Sequence, residues 1–146
     1  MKPEVKGGGV IRKAYAYITR EEELLVFRHV MQEAGIQVPK GTVEDFETTW
    51  QAVIREIKEE TGLTEELMPR LIADDLWEAD DGRVHHRFFY HLICKEAPDH
   101  WTHKPTGGGA EKKLTFHFYW MPLEETHQLV PGHADFVDWL QKGDRR

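Results

Sequence analysis

One cysteine, Cys94, is all the chain contains. A single thiol closes no internal disulfide, so the fold must be held by its core, and Cys94 reads as a small buried apolar residue in a strand. Nowhere does an apolar run approach the ~20 residues needed to cross a bilayer. The N-terminus, Met1-Lys2-Pro3-Glu4, lacks the apolar stretch of a secretory signal. The expectation is a cytoplasmic protein with no membrane partner. Positive charge is also scarce: 19 Lys and Arg face 26 Asp and Glu, a net −7. Nucleic-acid affinity rests on Lys and Arg neutralising phosphates, so no stable nucleic-acid binding is expected. A small phosphorylated ligand stays compatible with that charge if bound cations offset the repulsion between its phosphates and the carboxylates. Repeats and low-complexity tracts are absent too. Gly7-Gly8-Gly9 is no phosphate loop, because no Gly-Lys-Ser/Thr pattern opens a helix after it.

What is present suits one domain over residues 1–146: hydrophobic residues make up 40% and charged residues 31%. Ala14 to Thr19 and Leu24 to His29 read as strands around a turn at Arg20 to Glu23. Gln37 to Gly41 is a short extended piece. From Thr49 to Thr61 there is no Gly or Pro, and Trp50, Val53, Ile54 and Ile57 recur at helical spacing. Thr48 or Thr49 caps the start of this helix, and Gly62 supplies the left-handed residue past its end. Strands follow at about Leu71 to Ala79, Val84 to Lys95 and Leu114 to Pro122, the first two joined by Asp80-Asp81-Gly82. Between the last two runs an unstructured loop, about Glu96 to Lys113, of a length that is often functional. Asp135 is expected to cap a final short helix with Phe136, Trp139 and Leu140 on its apolar face. The fold class is therefore α/β or α+β.

The middle helix carries the chemistry. Glu56, Glu59 and Glu60 stand at i, i+3 and i+4, which places three carboxylates on one side. A run of glutamates is ordinarily a solvated face. Here Arg55 stands at i, i+4 from Glu59, and Val38 to Glu44 forms a turn able to fold back towards that face. Gly41 within it lets a backbone carbonyl approach closely. Carboxylate and carbonyl oxygens are the hard ligands that Mg²⁺ and Mn²⁺ prefer.

Gly41, five residues, Glu47, seven residues, then Arg55-Glu56-Ile57-Lys58-Glu59-Glu60-Thr61-Gly62-Leu63 resembles the Nudix signature at every fixed position, over residues 41–63. The resemblance implies a Nudix-type mixed β-sheet sandwiched between helices. It also implies a metal-dependent hydrolase that cleaves a phosphoanhydride bond in a nucleoside diphosphate linked to a moiety X: a nucleoside triphosphate, dinucleoside polyphosphate or nucleotide sugar. Glu56, Glu59 and Glu60 then look like ligands of Mg²⁺ or Mn²⁺, the Gly41 carbonyl like a further ligand, Glu47 like a supporting acid, and Arg55 like the residue that orients a catalytic glutamate.

The general base varies within the family: here it is Glu56, or Glu111 from the long loop, whose other reading is a solvated charge beside Lys112 and Lys113. Lys40, directly before Gly41, is similar to members acting on dinucleoside polyphosphates and is placed to contact a phosphate. The alternative function is a non-catalytic nucleotide-binding module on the same fold, a class that usually lacks one of the carboxylates retained here. His85, Arg87, Phe89 and His91 alternate with His86, Phe88 and Tyr90 along one strand. His117 and Tyr119 likewise lie opposite Phe116, Phe118 and Trp120. The aromatic-rich faces are expected against a helix, and the histidines read as structural or substrate-contacting before transition-metal ligands.

Overall fold

The computed structural model describes residues 9–31, 33–107 and 114–140. Seven strands form one mixed sheet: β1 (Ile11–Arg20), β2 (Glu23–His29), β3 (Lys40–Thr42), β4 (Arg70–Glu78), β5 (Val84–Ile93), β6 (His100–His103) and β7 (Phe116–Pro122). Their order is β4-β5-β1-β2-β7-β6, with β3 also on β1. Among these strands only β1 and β5 run parallel. β1 and β2 pair only beside their turn, at Thr19–Leu24 and Arg20–Glu23. Below that they splay, and residues 36–42 fill the fork. Gln37 bridges Phe27, Ala16 N–H donates to Pro39 O at 2.9 Å, and β3 pairs Lys13–Thr42, Ala14–Gly41 and Tyr15–Lys40 on β1. This wedge brings Gly41 to the helix.

The helix α1 spans Thr49–Thr61, as its periodicity predicts. Thr48 and Gln51 form a reciprocal capping box at its start, and Gly62, at φ 76°, ends it. Ala52, Val53 and Ile57 bury against the even-numbered side of β1 (Ala14, Ala16, Ile18) together with Tyr90, Phe116, Phe118 and Trp120. The aromatic faces foreseen for β5 and β7 are thus the helix-facing ones. Trp50 departs from the expected apolar face and is 43% exposed. The opposite sheet face carries a second core of Tyr15, Tyr17, Leu24, Val26, Phe89 and Met121, covered by Ile36, Val38, Leu129, Val137 and Leu140. Among the described residues no helix is long and apolar enough to cross a membrane.

Two expectations are corrected. The stretch Glu96 to Lys113 is not devoid of structure: His100–His103 pairs with β7 as an edge strand. The final α-helix is only a single 3-10 turn, Val137–Trp139. Asp135 does not cap it, because its carboxylate accepts from Arg87 Nη2 at 2.9 Å instead. Trp139 is 58% exposed, leaving Val137 and Leu140 to face the core.

Candidate active site

The site is built where β3 meets α1. A turn after Val43 puts Glu44 and Glu47 back to back: Glu44 N–H donates to Glu47 Oε1 at 2.9 Å, and Glu47 N–H to Glu44 O at 3.2 Å. Arg55, on the first half of α1, gathers the acids. Its Nε and Nη2 grip the two oxygens of Glu47 at 2.7 and 2.9 Å. Nη2 also donates to Thr42 O at 2.9 Å. Nη1 reaches Glu56 Oε1 at 2.7 Å and Glu59 Oε2 at 3.1 Å, with Glu44 at 3.6 Å. The two-pronged bond to Glu47 is the first cause of Arg55's raised pKa, and the same bond holds Glu47 below the usual carboxylate range. One guanidinium therefore keeps several anions together on a helix face that would otherwise repel itself.

Gly41 is required by contact. Its φ lies outside the left-handed region, but a Cβ added there would overlap the Glu56 carboxyl group. Glu60 is 5% exposed, and its Oε1 accepts from Lys40 N–H at 3.3 Å. Glu59 faces Gly107, where a Cβ would come 2.8 Å from Glu59 Oε2. That far wall is set by β6. Trp101 Nε1 donates to Thr61 O at 2.8 Å, while His103 Nε2 and Thr106 N–H both meet Glu59 O, at 3.1 and 2.9 Å. Two of the last carbonyls of α1, those of Glu59 and Thr61, are thus satisfied from across the gap. The result is a cavity of about 340 Å³ lined by Lys13, Lys40 to Thr42, Glu44, Arg55, Glu56, Glu59, Glu60 and Pro105 to Gly107.

The donor set fits a hard divalent cation. The side chains that could hold one (Glu56, Glu59, Glu60) offer oxygen only, and glycines at 41 and 107 leave room beside two of them. Glu56 and Glu59 each turn one oxygen to Arg55, and a carboxylate has two. Among the described residues no three acidic or histidine side chains already form a closed cage. Mg²⁺ does not demand one, since it commonly uses one or two carboxylates and completes its shell with water and substrate phosphate.

Of the residues singled out in the sequence, Lys40, Gly41, Arg55, Glu56, Glu59 and Glu60 line one cavity, and Glu47 stands behind it on Arg55. Glu111 lies outside the described residues. Pro105 to Gly107, which also line the cavity, belong to the loop Glu96 to Lys113 that the sequence marks as functional. Sequence reasoning missed Lys13, whose Nζ donates to Thr42 Oγ1 at 2.7 Å. Lys13 is invisible without the β1–β3 register. Cys94 is fully buried just past β5, and burial pushes its thiol up to about 11, which keeps it unreactive. Three histidines have partners within the fold. His86 meets Asp74 at 2.7 Å, His91 meets Thr19 at 2.8 Å, and His133 Nδ1 accepts from Val38 N–H at 3.0 Å.

Residues 10–140 match the NUDIX domain family. A MutT4 protein of Mycobacterium tuberculosis is 38% identical over 58 residues, which are 40% of this chain and 23% of that protein's length. The chain thus matches about a quarter of that relative. A MutT NUDIX hydrolase from Burkholderia pseudomallei superposes with a TM-score of 0.67 at 20% identity, covering 90% of this chain and 98% of that one. An Ap4A hydrolase of C. elegans does so with a TM-score of 0.65 at 22% identity, covering 91% and 94%. These likenesses establish a shared α+β fold.

Proposed function

Because this chain belongs to the Nudix family, we propose that it is a pyrophosphohydrolase: it uses Mg²⁺ or Mn²⁺ to cleave a phosphoanhydride bond in a small nucleotide of the type nucleoside diphosphate linked to X. The observation that carries this reading is the convergence of Glu56, Glu59 and Glu60 on one cavity, with Gly41 trimmed to fit Glu56. The names of its structural neighbours, a MutT NUDIX hydrolase and an Ap4A hydrolase, support a nucleotide substrate.

A diphosphate linkage resists attack because its oxygens are negative. A bound divalent cation would neutralise that charge and lower the pKa of water. Glu56, Glu59 and Glu60, with the Gly41 carbonyl, are the groups that would hold it. Arg55 fixes the rotamers of Glu56 and Glu59, so those carboxylates need little reorganisation when substrate enters. Glu47 holds Arg55. Either Glu56 or Glu111 accepts the proton of the attacking water. The two are separated by Glu→Gln variants, because only loss of the base removes the acid limb of the pH–rate profile. Lys40, at the cavity rim, meets a phosphate as a point charge.

Phosphate and pyrophosphate release over a panel of nucleoside triphosphates, dinucleoside polyphosphates and nucleotide sugars tests the proposal. Turnover is expected with Mg²⁺ or Mn²⁺ and none with a chelator. Undiminished turnover in chelator, or none of any substrate with metal, would sink it.

A further inference from the structure

The flank of α1 turned away from Glu56 and Glu59 plays no part in the candidate site. Trp50, Ile54 and Lys58 stand there four residues apart, as one row along the helix. Ile54 packs on the edge of the core, while Trp50 and Lys58 are exposed. Residues 63–69 return alongside the row. The groove between them, about 220 Å³, has Trp50, Ile54 and Lys58 on one wall and Glu66, Leu67 and Met68 on the other. Met68 and Leu71 are exposed too. Leu71 pairs with Tyr90, whose hydroxyl meets Thr49 Oγ1 at 2.6 Å, so it borders the head of the row. Exposed apolar side chains gathered in this way mark a contact surface, as the same residues scattered singly would not.

The chemistry of the row selects its occupant. The groove is smaller than the roughly 300 Å³ at which small-molecule sites begin. A lipid surface or a nucleic acid would be met by cations alone, whereas Glu66 stands here with Lys58. The row itself is symmetric in spacing and complementary in chemistry about Ile54. An indole lies four residues before it and an ammonium four residues after, each about 6 Å along the helix. We infer that a second copy of this chain docks on this face, with the two α1 helices antiparallel about a two-fold axis at Ile54. Each Trp50 ring then receives the partner's Lys58, and Ile54 packs on the partner's Ile54. Indole is the aromatic ring that best attracts a cation, and a row at four-residue spacing is a ridge that packs against a facing helix. Antiparallel packing also sets the positive first turn of each helix beside the negative last turn of the other. One patch in contact with itself closes at two copies. The docked face lies away from the cavity at Gly41, so both cavities stay open to substrate.

Sedimentation velocity of the full chain over a range of concentrations tests this without reference to turnover. The wild type should pass from monomer to dimer as concentration rises, with no larger species. Trp50→Ala should raise the dissociation constant about tenfold or more, as loss of an aromatic anchor commonly does. Lys58→Glu should weaken the dimer comparably, and Lys58→Arg should keep it, because a guanidinium also stacks on indole. Circular dichroism should show all three variants folded, since both positions are exposed. Ile54→Cys supplies a second readout. Cys94, the native thiol, is fully buried, so a disulfide that joins two chains under mild oxidation reports the introduced cysteines meeting at the axis. Glu124→Cys, at an exposed position on another part of the surface, should stay uncrosslinked. A wild type that is monomeric at about 1 mM, or a dimer that Trp50→Ala and Lys58→Glu leave intact, overturns the inference. Crosslinking at 124 and not at 54 overturns it too. So does a monomeric chain that co-sediments with phosphatidylcholine–phosphatidylserine vesicles and is released from them by Trp50→Ala, because the face would then belong to a lipid surface.

Discussion

Gly41 shows how one missing atom organises a site. Its backbone is one that any residue adopts, so an alanine there is not strained in itself. The conflict is with Glu56, whose carboxyl group occupies the place a Cβ would take. Gly41→Ala should therefore leave the fold and thermal midpoint nearly unchanged while turning Glu56 away from its neighbours. Loss of one preorganised electrostatic group commonly costs ~10²–10³-fold in rate, and that drop in kcat is expected. The same loss is expected for Glu60→Gln, which keeps size and removes charge. Steady-state kinetics with saturating Mg²⁺, beside circular dichroism, checks both; a near-normal kcat in either variant would detach that residue from the chemistry. These residues were legible in the sequence because helix periodicity puts 56, 59 and 60 on one side, and the signature relates them to Gly41. Lys13 was not legible. Its place at the site depends on β1 pairing with a strand 29 residues further on, and nothing local in Ile11 to Ala16 announces that partner.

At the scale of the element, α1 is held at both ends by other means than its own sequence of turns. Thr48 and Gln51 close the first turn. Removing the Thr48 hydroxyl, as in Thr48→Ala, should cost about 1 kcal/mol in denaturant unfolding. The far end depends on β6. Trp101→Phe keeps an aromatic ring to stack on Phe118 at the observed 5.2 Å but deletes the N–H that satisfies Thr61 O. A loss of roughly 1–2 kcal/mol is expected from a part-buried carbonyl left without its donor, with KM raised as the wall at Pro105 to Gly107 loosens. A variant with unchanged stability and kinetics would show that β6 does not brace the helix. The same strand marks a limit of sequence reading. His100-Trp101-Thr102-His103 lacks aliphatic alternation, and Pro98 and Pro105 flank it as loop punctuation. It becomes a strand because Phe118 and the helix terminus supply its partners. The long strands and α1 were readable because their periodicity is intrinsic. The final helix failed to form because Asp135, its expected cap, is drawn to a buried arginine on β5.

That arginine joins the whole molecule together with His133. Arg87 is 1% exposed, grips Asp75 through two bonds at 2.8 and 2.6 Å, and reaches Asp135 and Gly132 O on the C-terminal segment. His133, on that same segment, is 4% exposed and accepts from Val38 N–H, while its own carbonyl accepts from Tyr17 O–H at 2.7 Å. The segment is thus pinned over the second core by polar groups, and one of them titrates. Burial, followed by the charges of Lys40 and Arg87, drives the His133 pKa from 6.5 down to about 3. Because the folded value is depressed, the unfolded chain takes up the proton first. The stabilising effect of the neutral ring is complete above about 6.5 and is lost progressively as pH falls towards about 3. Between about pH 6.5 and pH 5 the slope amounts to roughly 2 kcal/mol, before the depressed carboxylates of Glu47 and Glu65 begin to protonate. His85, lowered mainly by burial, adds a smaller effect of the same sign. His133→Asn supplies an amide oxygen near the place of Nδ1 and does not titrate. Its stability at neutral pH should be lower, through lost packing on Tyr15, but its pH dependence over this interval should be clearly flatter than the wild type's. Denaturant midpoints at several pH values decide the matter: parallel curves for the two proteins would mean that the acid sensitivity of the fold resides elsewhere than in the pinned C-terminal segment.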